Sequence, residues 1–111
     1  MTTRNLSPSL SLLYIPGLTH SPLYKTLAAE DLAEGDEFSL LADPTNRFDQ
    51  YAVKVIAKGE QLGWIPKGQN EDISRLLLEG KPLVAVLTEH NLSQNLSRRI
   101  RVSVHTVSFT E

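Results

Sequence analysis

The chain has 111 residues, 41% of them hydrophobic and 22% charged, and a formal net charge of −2. That length favours one domain with a real core, and the absence of cysteine excludes disulfide frameworks, thiolate zinc sites and cysteine nucleophiles. The slight acidic balance counts against extended, non-specific binding along duplex DNA, which draws on a basic surplus, and leaves room for a small local site.

Residues 1–9 are polar and end in Ser-Pro-Ser, so they are expected as a flexible N-terminal arm; residues 10–111 are expected as a single domain. Residues 10–15 form a candidate first strand, interrupted by Ser11 and ended by the Pro16-Gly17 turn signal. This apolar run is too short and too broken for a signal peptide or a membrane span, so a cytoplasmic protein is the default and no membrane partner is expected. Ser21-Pro22 opens a short helix, with Ser21 as N-cap and Pro22 at the first helical position. Phe38, Leu40 and Ala42 alternate with Glu37, Ser39 and Leu41, the pattern of a half-buried strand, and Asp43-Pro44 ends it.

A polar loop follows over residues 45–49. Tyr51, Val53, Val55 and Ala57 make the inner row of the next strand, Lys58-Gly59 is a two-residue hairpin turn, and residues 62–65 return until Pro66. Asn70 is placed as an N-cap, Glu71 and Asp72 suit the first turn, and Ile73, Leu76 and Leu77 give one apolar helix face that runs out at Gly80. Residues 83–87 form another strand. In the last strand Ile100, Val102 and Val104 point one way, while Val107 and Phe109 lie on the other parity, which predicts a bulge near Thr106. These elements add up to a mainly β fold: a small six-stranded antiparallel barrel of the OB or SH3-like type, with one or two short helices.

Catalysis finds no footing in these residues. The histidines His20, His90 and His105 lack metal-ligand spacing. No nucleophile and base pattern and no glycine-rich phosphate loop occur. No cofactor, no metal and no enzymatic activity are expected.

The run Asp43-Pro44-Thr45-Asn46-Arg47-Phe48-Asp49, then Ala52-Val53-Lys54-Val55, then Leu62-Gly63-Trp64-Ile65-Pro66-Lys67 resembles the core motif of the HIRAN family. The likeness extends over about residues 10–107. It implies a small β-barrel that occurs alone in bacteria, or joined to helicase-like ATPases that remodel stalled replication forks. It also implies a grip on single-stranded DNA at a free 3′ end. In that family an aspartate at the position of Asp49 contacts the terminal hydroxyl, aromatic groups stack on the end bases, and basic groups and backbone amides hold the last phosphates. Asp49 matches this pattern. Phe48 stands where the family usually has Tyr. Trp64 takes a place held elsewhere by His or Tyr. Upstream the chain departs from the family's Arg-aromatic-aromatic run, and in Thr19-His20-Ser21-Pro22-Leu23-Tyr24 only Tyr24 and His20 are suited to serve.

Each candidate also has a plain structural role. Asp49 suits both a hydroxyl contact and a turn. Asn46 is foremost a turn former, and Phe48 foremost a core or loop anchor. Trp64 shares parity with Leu62, which makes it a partly buried wall able to stack, and Gly63 marks a bulge or a close backbone approach. Arg47, Lys54 and Lys67 form a candidate phosphate patch, and Arg98, Arg99 and Arg101 a second basic cluster. Two functions follow. One is a non-catalytic module that captures single-stranded DNA 3′ ends in DNA repair or fork processing, with Asp49, Trp64, Tyr24, Phe48, Arg47, Lys67 and His20 as its site and a helicase or nuclease as candidate protein partner. The alternative is a protein–protein interaction module with no DNA binding.

Overall fold

The computed structural model describes residues 1–111, the side chain of Ala29 excepted. It contains strands β1 (Thr3–Leu6), β2 (Ser11–Tyr14), β3 (Glu37–Ala42), β4 (Val53–Ala57), β5 (Glu60–Trp64), β6 (Leu83–His90) and β7 (Ile100–Thr110), with helices α1 (Pro22–Thr26) and α2 (Glu71–Leu78). Every strand pair is antiparallel. The order is β1-β7-β6-β3-β4-β5, with β2 alongside β7 off that path.

Alternation builds the centre of this sheet. Phe38 and Leu40 of β3 and Val53, Val55 and Ala57 of β4 point inward and are buried, as are Ile100, Val102 and Val104 of β7. Lys58 and Gly59 both adopt positive φ, 51° and 78°, the backbone signature of the tight turn expected between β4 and β5. Tyr51, expected on the inner row, falls in the preceding turn and is 36% exposed. Ser21 caps α1 as expected: its hydroxyl oxygen accepts the Tyr24 N–H at 3.1 Å and its hydroxyl donates to the Gln61 carbonyl at 3.4 Å. The helix thereby lies against the edge strand β5. Among the described residues no helix is long and apolar enough to cross a membrane.

Three details differ from the sequence expectation. There are seven strands rather than six, because the segment expected as a flexible arm holds β1, which pairs with β7 from Thr3↔Thr110 to Leu6↔Val107. It is an edge strand, mostly exposed, so it lacks the apolar alternation that marks a half-buried strand. Arg4 anchors it through a two-pronged bond to the Glu37 carboxylate at 2.7 and 3.0 Å.

The bulge expected near Thr106 is absent there. The register slips instead between Leu87 and Glu89, where the Thr88 hydroxyl donates to the Arg101 carbonyl at 3.0 Å. β7 needs no parity change because it changes neighbours: residues 101–104 face β2 and residues 107–110 face β1. Val107 and Phe109 therefore come to lie beside Leu6 and Arg4.

Finally, the sheet curls without closing into a hydrogen-bonded barrel. Its seam lies between the end of β2 and β5. There the Trp64 N–H meets the Pro16 carbonyl at 3.4 Å, and Gly63 lies hard against Ile15 and Pro16. This seam carries the candidate site.

Candidate functional site

The loop over residues 43–52 is held by its own side chains. The Asp43 N–H donates to the Ala52 carbonyl at 2.8 Å and closes the loop's base. The Asn46 Oδ1 accepts the N–H groups of Phe48 and Asp49 at 2.9 and 3.1 Å, and the Asn46 Nδ2 donates to Asp43 Oδ2 at 3.3 Å. Asp49 Oδ1 then accepts the Tyr51 N–H at 2.9 Å. These are linked Asx turns, in which short polar side chains replace a backbone ladder. Asn46 shapes the turn, as its residue type suggests. Phe48 corrects the expectation of a core anchor: the turn projects it outward, 88% exposed.

Beside this loop lies a cleft of about 320 Å³, lined by Phe48, Asp49, Trp64 and Lys67 together with Asn46, Pro16, Ala52 and Ile65. A second cleft, of about 490 Å³, is lined by His20, Gly17, Pro22, Gln61 and Gly63, and shares Pro16 and Trp64 with the first. Trp64 is thus the wall between two recesses. Its half-buried position has a cause that parity conceals. The β4–β5 register slips between Val55 and Ile56, so that Val55 pairs with Gly63 and Ile56 with Gln61. Leu62 is the extra residue of a bulge, and parity reverses past it. Leu62 is fully buried while Trp64 sits opposite Lys54.

Asp49 is held from two directions. Its Oδ2 accepts Asn70 Nδ2 at 2.8 Å, and its Oδ1 takes the Tyr51 amide. The Asn70 hydrogen bond, and after it the Tyr51 amide, hold its carboxyl below the usual carboxylate range; desolvation opposes them, and the charge of Lys67 adds the smallest lowering effect. A carboxylate has about four lone-pair positions, so two bonds leave each oxygen able to accept another donor. Asn70 is 2% exposed. Its residue type suggested an N-cap, but its side chain makes no capping bond. Nothing local in the sequence connects it to Asp49, 21 positions away.

The remaining candidates lie elsewhere. Tyr24 lines neither cleft. Its hydroxyl pairs with His90 Nε2 at 3.0 Å, the two rings meet edge to face at 5.9 Å, and Tyr24 packs on the core. His20 is exposed at the second cleft and Arg47 is exposed on the loop, outside both linings. The arginine cluster is largely engaged. Arg101 pairs with Glu89 at 3.2 Å and lies over the Tyr14 ring, while Arg99 donates twice to the Gln94 carbonyl, at 3.1 and 2.8 Å. Among the described residues, no group of three His, Asp or Glu side chains is placed to hold a metal.

The Tyr24–His90 pair carries a pH prediction. Burial, and secondarily the charge of Arg99, lower the His90 pKa, so the fold favours the neutral ring, which in its Nδ1–H tautomer accepts the Tyr24 O–H at Nε2. A lowered folded-state value means that this stability is complete above the unfolded histidine pKa and is lost as pH falls through the folded one. Thermal midpoints should therefore drop across that acidic window. His90→Gln, which retains an acceptor and does not titrate, should flatten that part of the profile; an unchanged profile would refute the assignment.

The family model of the HIRAN domain matches residues 10–107. No curated protein matches the sequence. Among solved structures, a protein from Lactobacillus plantarum is similar, at 16% identity and a TM-score of 0.79, with 97% of this chain and 99% of that one covered. The HIRAN domain of human HLTF is similar at 18% identity and a TM-score of 0.64, with 97% of this chain and 80% of that one covered. At such identities the likeness extends to the fold alone.

Proposed function

The chain belongs to the HIRAN domain family, and from that premise we propose that it is a non-catalytic module that captures the 3′ end of single-stranded DNA, in DNA repair or replication-fork processing. The observation that carries this reading is the gathering of Asp49, Trp64, Phe48 and Lys67 around one cleft.

Each group has a chemical task there. The end base lies against the indole of Trp64, with Phe48 as a second, solvent-facing ring. The terminal 3′-hydroxyl donates to the Asp49 carboxylate, a stronger bond than one to a neutral acceptor. Lys67 holds the last phosphate, and Arg47 meets the chain as it leaves. A phosphorylated 3′ end presents anion to anion at Asp49 and is rejected. With so few cations involved, the salt dependence of binding should be shallow. A helicase or nuclease acting at the same end is the protein partner this reading implies.

The test compares labelled oligonucleotides ending in a 3′-hydroxyl or a 3′-phosphate. The hydroxyl end should bind roughly tenfold tighter or better, the size expected for a hydrogen bond to a charged group, and Asp49→Ala should erase the difference. Because the Asp49 carboxyl titrates below its usual range, the preference should persist on mild acidification and fail only below that range. Equal binding of both ends would overturn end capture. Binding of neither, with a stoichiometric protein partner recovered instead, would favour the interaction-module alternative.

A further inference from the structure

We propose that Asn70 is a positioning residue that aims the Asp49 carboxylate into the cleft, an inference that rests on the DNA-end reading for its purpose but not for its geometry. An asparagine at a helix start ordinarily turns its side-chain oxygen onto a free amide of the first turn. Asn70 does not: its backbone is already helical, with φ −108° and ψ −11°, and its side chain makes no cap bond. Its carbonyl accepts the Ser74 N–H at 2.8 Å, and its side-chain amide is spent on Asp49 Oδ2 at 2.8 Å. The residue is buried. A donor in that setting without its acceptor would be costly, so the pair is mutually required.

Asn70 and the Tyr51 amide together take one bond from each Asp49 oxygen. Two anchored oxygens fix the plane of the carboxyl group. The choice of a neutral donor matters as well. An arginine or lysine in this place would also orient the carboxylate, but would neutralise it. An amide orients it and leaves its full charge for a hydroxyl donor. The cation whose charge acts on Asp49 is Lys67, whose effect is smaller than that of Asn70 and which lines the cleft beside it. Glu71 and Asp72, the acidic residues of the first turn of α2, are the other charged groups next to Asn70 in the chain. α2 thereby acquires a role beyond packing: the residue flanking its start, Asn70, is the strut behind the binding carboxylate.

Two variants separate this role from ordinary capping. Serine caps helices about as well as asparagine but is too short to span the distance to Asp49, so Asn70→Ser keeps the helix start and removes the strut. Asn70→Asp keeps the shape and sets one carboxylate against another. The first readout is the titration of the Asp49 carboxyl by carbon-detected NMR on the full chain, without DNA. Its pKa should rise toward the ordinary carboxylate range in Asn70→Ser and further in Asn70→Asp. The second is the ratio of 3′-hydroxyl to 3′-phosphate affinity, which should fall several-fold in both variants, toward that of Asp49→Ala. An Asp49 titration in Asn70→Ser as low as in the parent overturns the proposal, as does an undiminished end preference. If the unaltered protein shows no end preference at all, it is the DNA-end reading that fails, and the titration still decides whether Asn70 holds the carboxylate.

Discussion

Trp64→Ala should lower affinity for a 3′-hydroxyl oligonucleotide by roughly ten- to a hundredfold. One base–aromatic stack is worth about 1–3 kcal/mol, and about 1.4 kcal/mol corresponds to a factor of ten. The upper half of that range is expected because Trp64 walls both clefts, so its removal merges two shaped recesses into one shallow depression. Trp64→Phe retains an aromatic face and should lose much less. The effect should appear equally with 3′-hydroxyl and 3′-phosphate ends, since stacking does not sense the terminal group. That separates it from Asp49→Ala, which should act on the ratio between them. Fluorescence anisotropy with both oligonucleotides reads affinity and ratio together. Unchanged affinity in Trp64→Ala, with the fold intact by circular dichroism, would remove the seam from the binding site and with it the proposed function.

The placement of Trp64 also illustrates what the chain reveals on inspection and what it conceals. The alternation of β3 and β4, the Lys58-Gly59 turn and the Asx-rich loop are local patterns, and the structure carries them as the residue types demand. Trp64 is half-buried, as expected, but the parity argument for that expectation does not hold. Its side follows from a slip in the β4–β5 register, and a register is a property of two strands, visible in neither alone. The same distinction explains the other differences. β1 is an edge strand, and its exposed residues leave no alternation to read. The Tyr24–His90 pair spans 66 positions, and only the tertiary fold brings the two rings together. Asn70 stands at the expected N-cap position of α2, but its side chain bonds Asp49 instead of capping. The departures of Phe48, Trp64 and Asn70 fall at the seam and the loop beside it, where long-range packing sets the geometry.

Gly63→Ala should be the most destabilising single-methyl change in the seam, lowering the thermal midpoint by roughly 10 °C or more. A Cβ at that position would stand 2.5 Å from Ile15 Cγ2 and 2.7 Å from the Pro16 carbonyl oxygen, both inside any tolerable contact. Ile15 is fully buried and has no room to retreat. The Pro16 oxygen belongs to the backbone and accepts the Trp64 N–H, so it moves only if the end of β2 moves. Overpacking of this kind costs about 1–3 kcal/mol, occasionally more, and about 1 kcal/mol shifts the midpoint of a domain near this size by roughly 4–8 °C. No strand ladder spans the seam to spread the strain, so the displacement should fall on Pro16 and Trp64, the two residues common to both clefts. Affinity for DNA ends should therefore drop along with stability. Ile15→Val should not rescue the variant, because valine keeps the offending methyl and the carbonyl oxygen stays where it is. Ile15→Ala should relieve the first clash and leave the second, giving partial recovery of the seam at the expense of a core cavity. A Gly63→Ala midpoint within about two degrees of the parent, well under the shift expected from one kcal/mol, would mean that the seam yields freely. In that case Gly63 would not be what draws the end of β2 against β5.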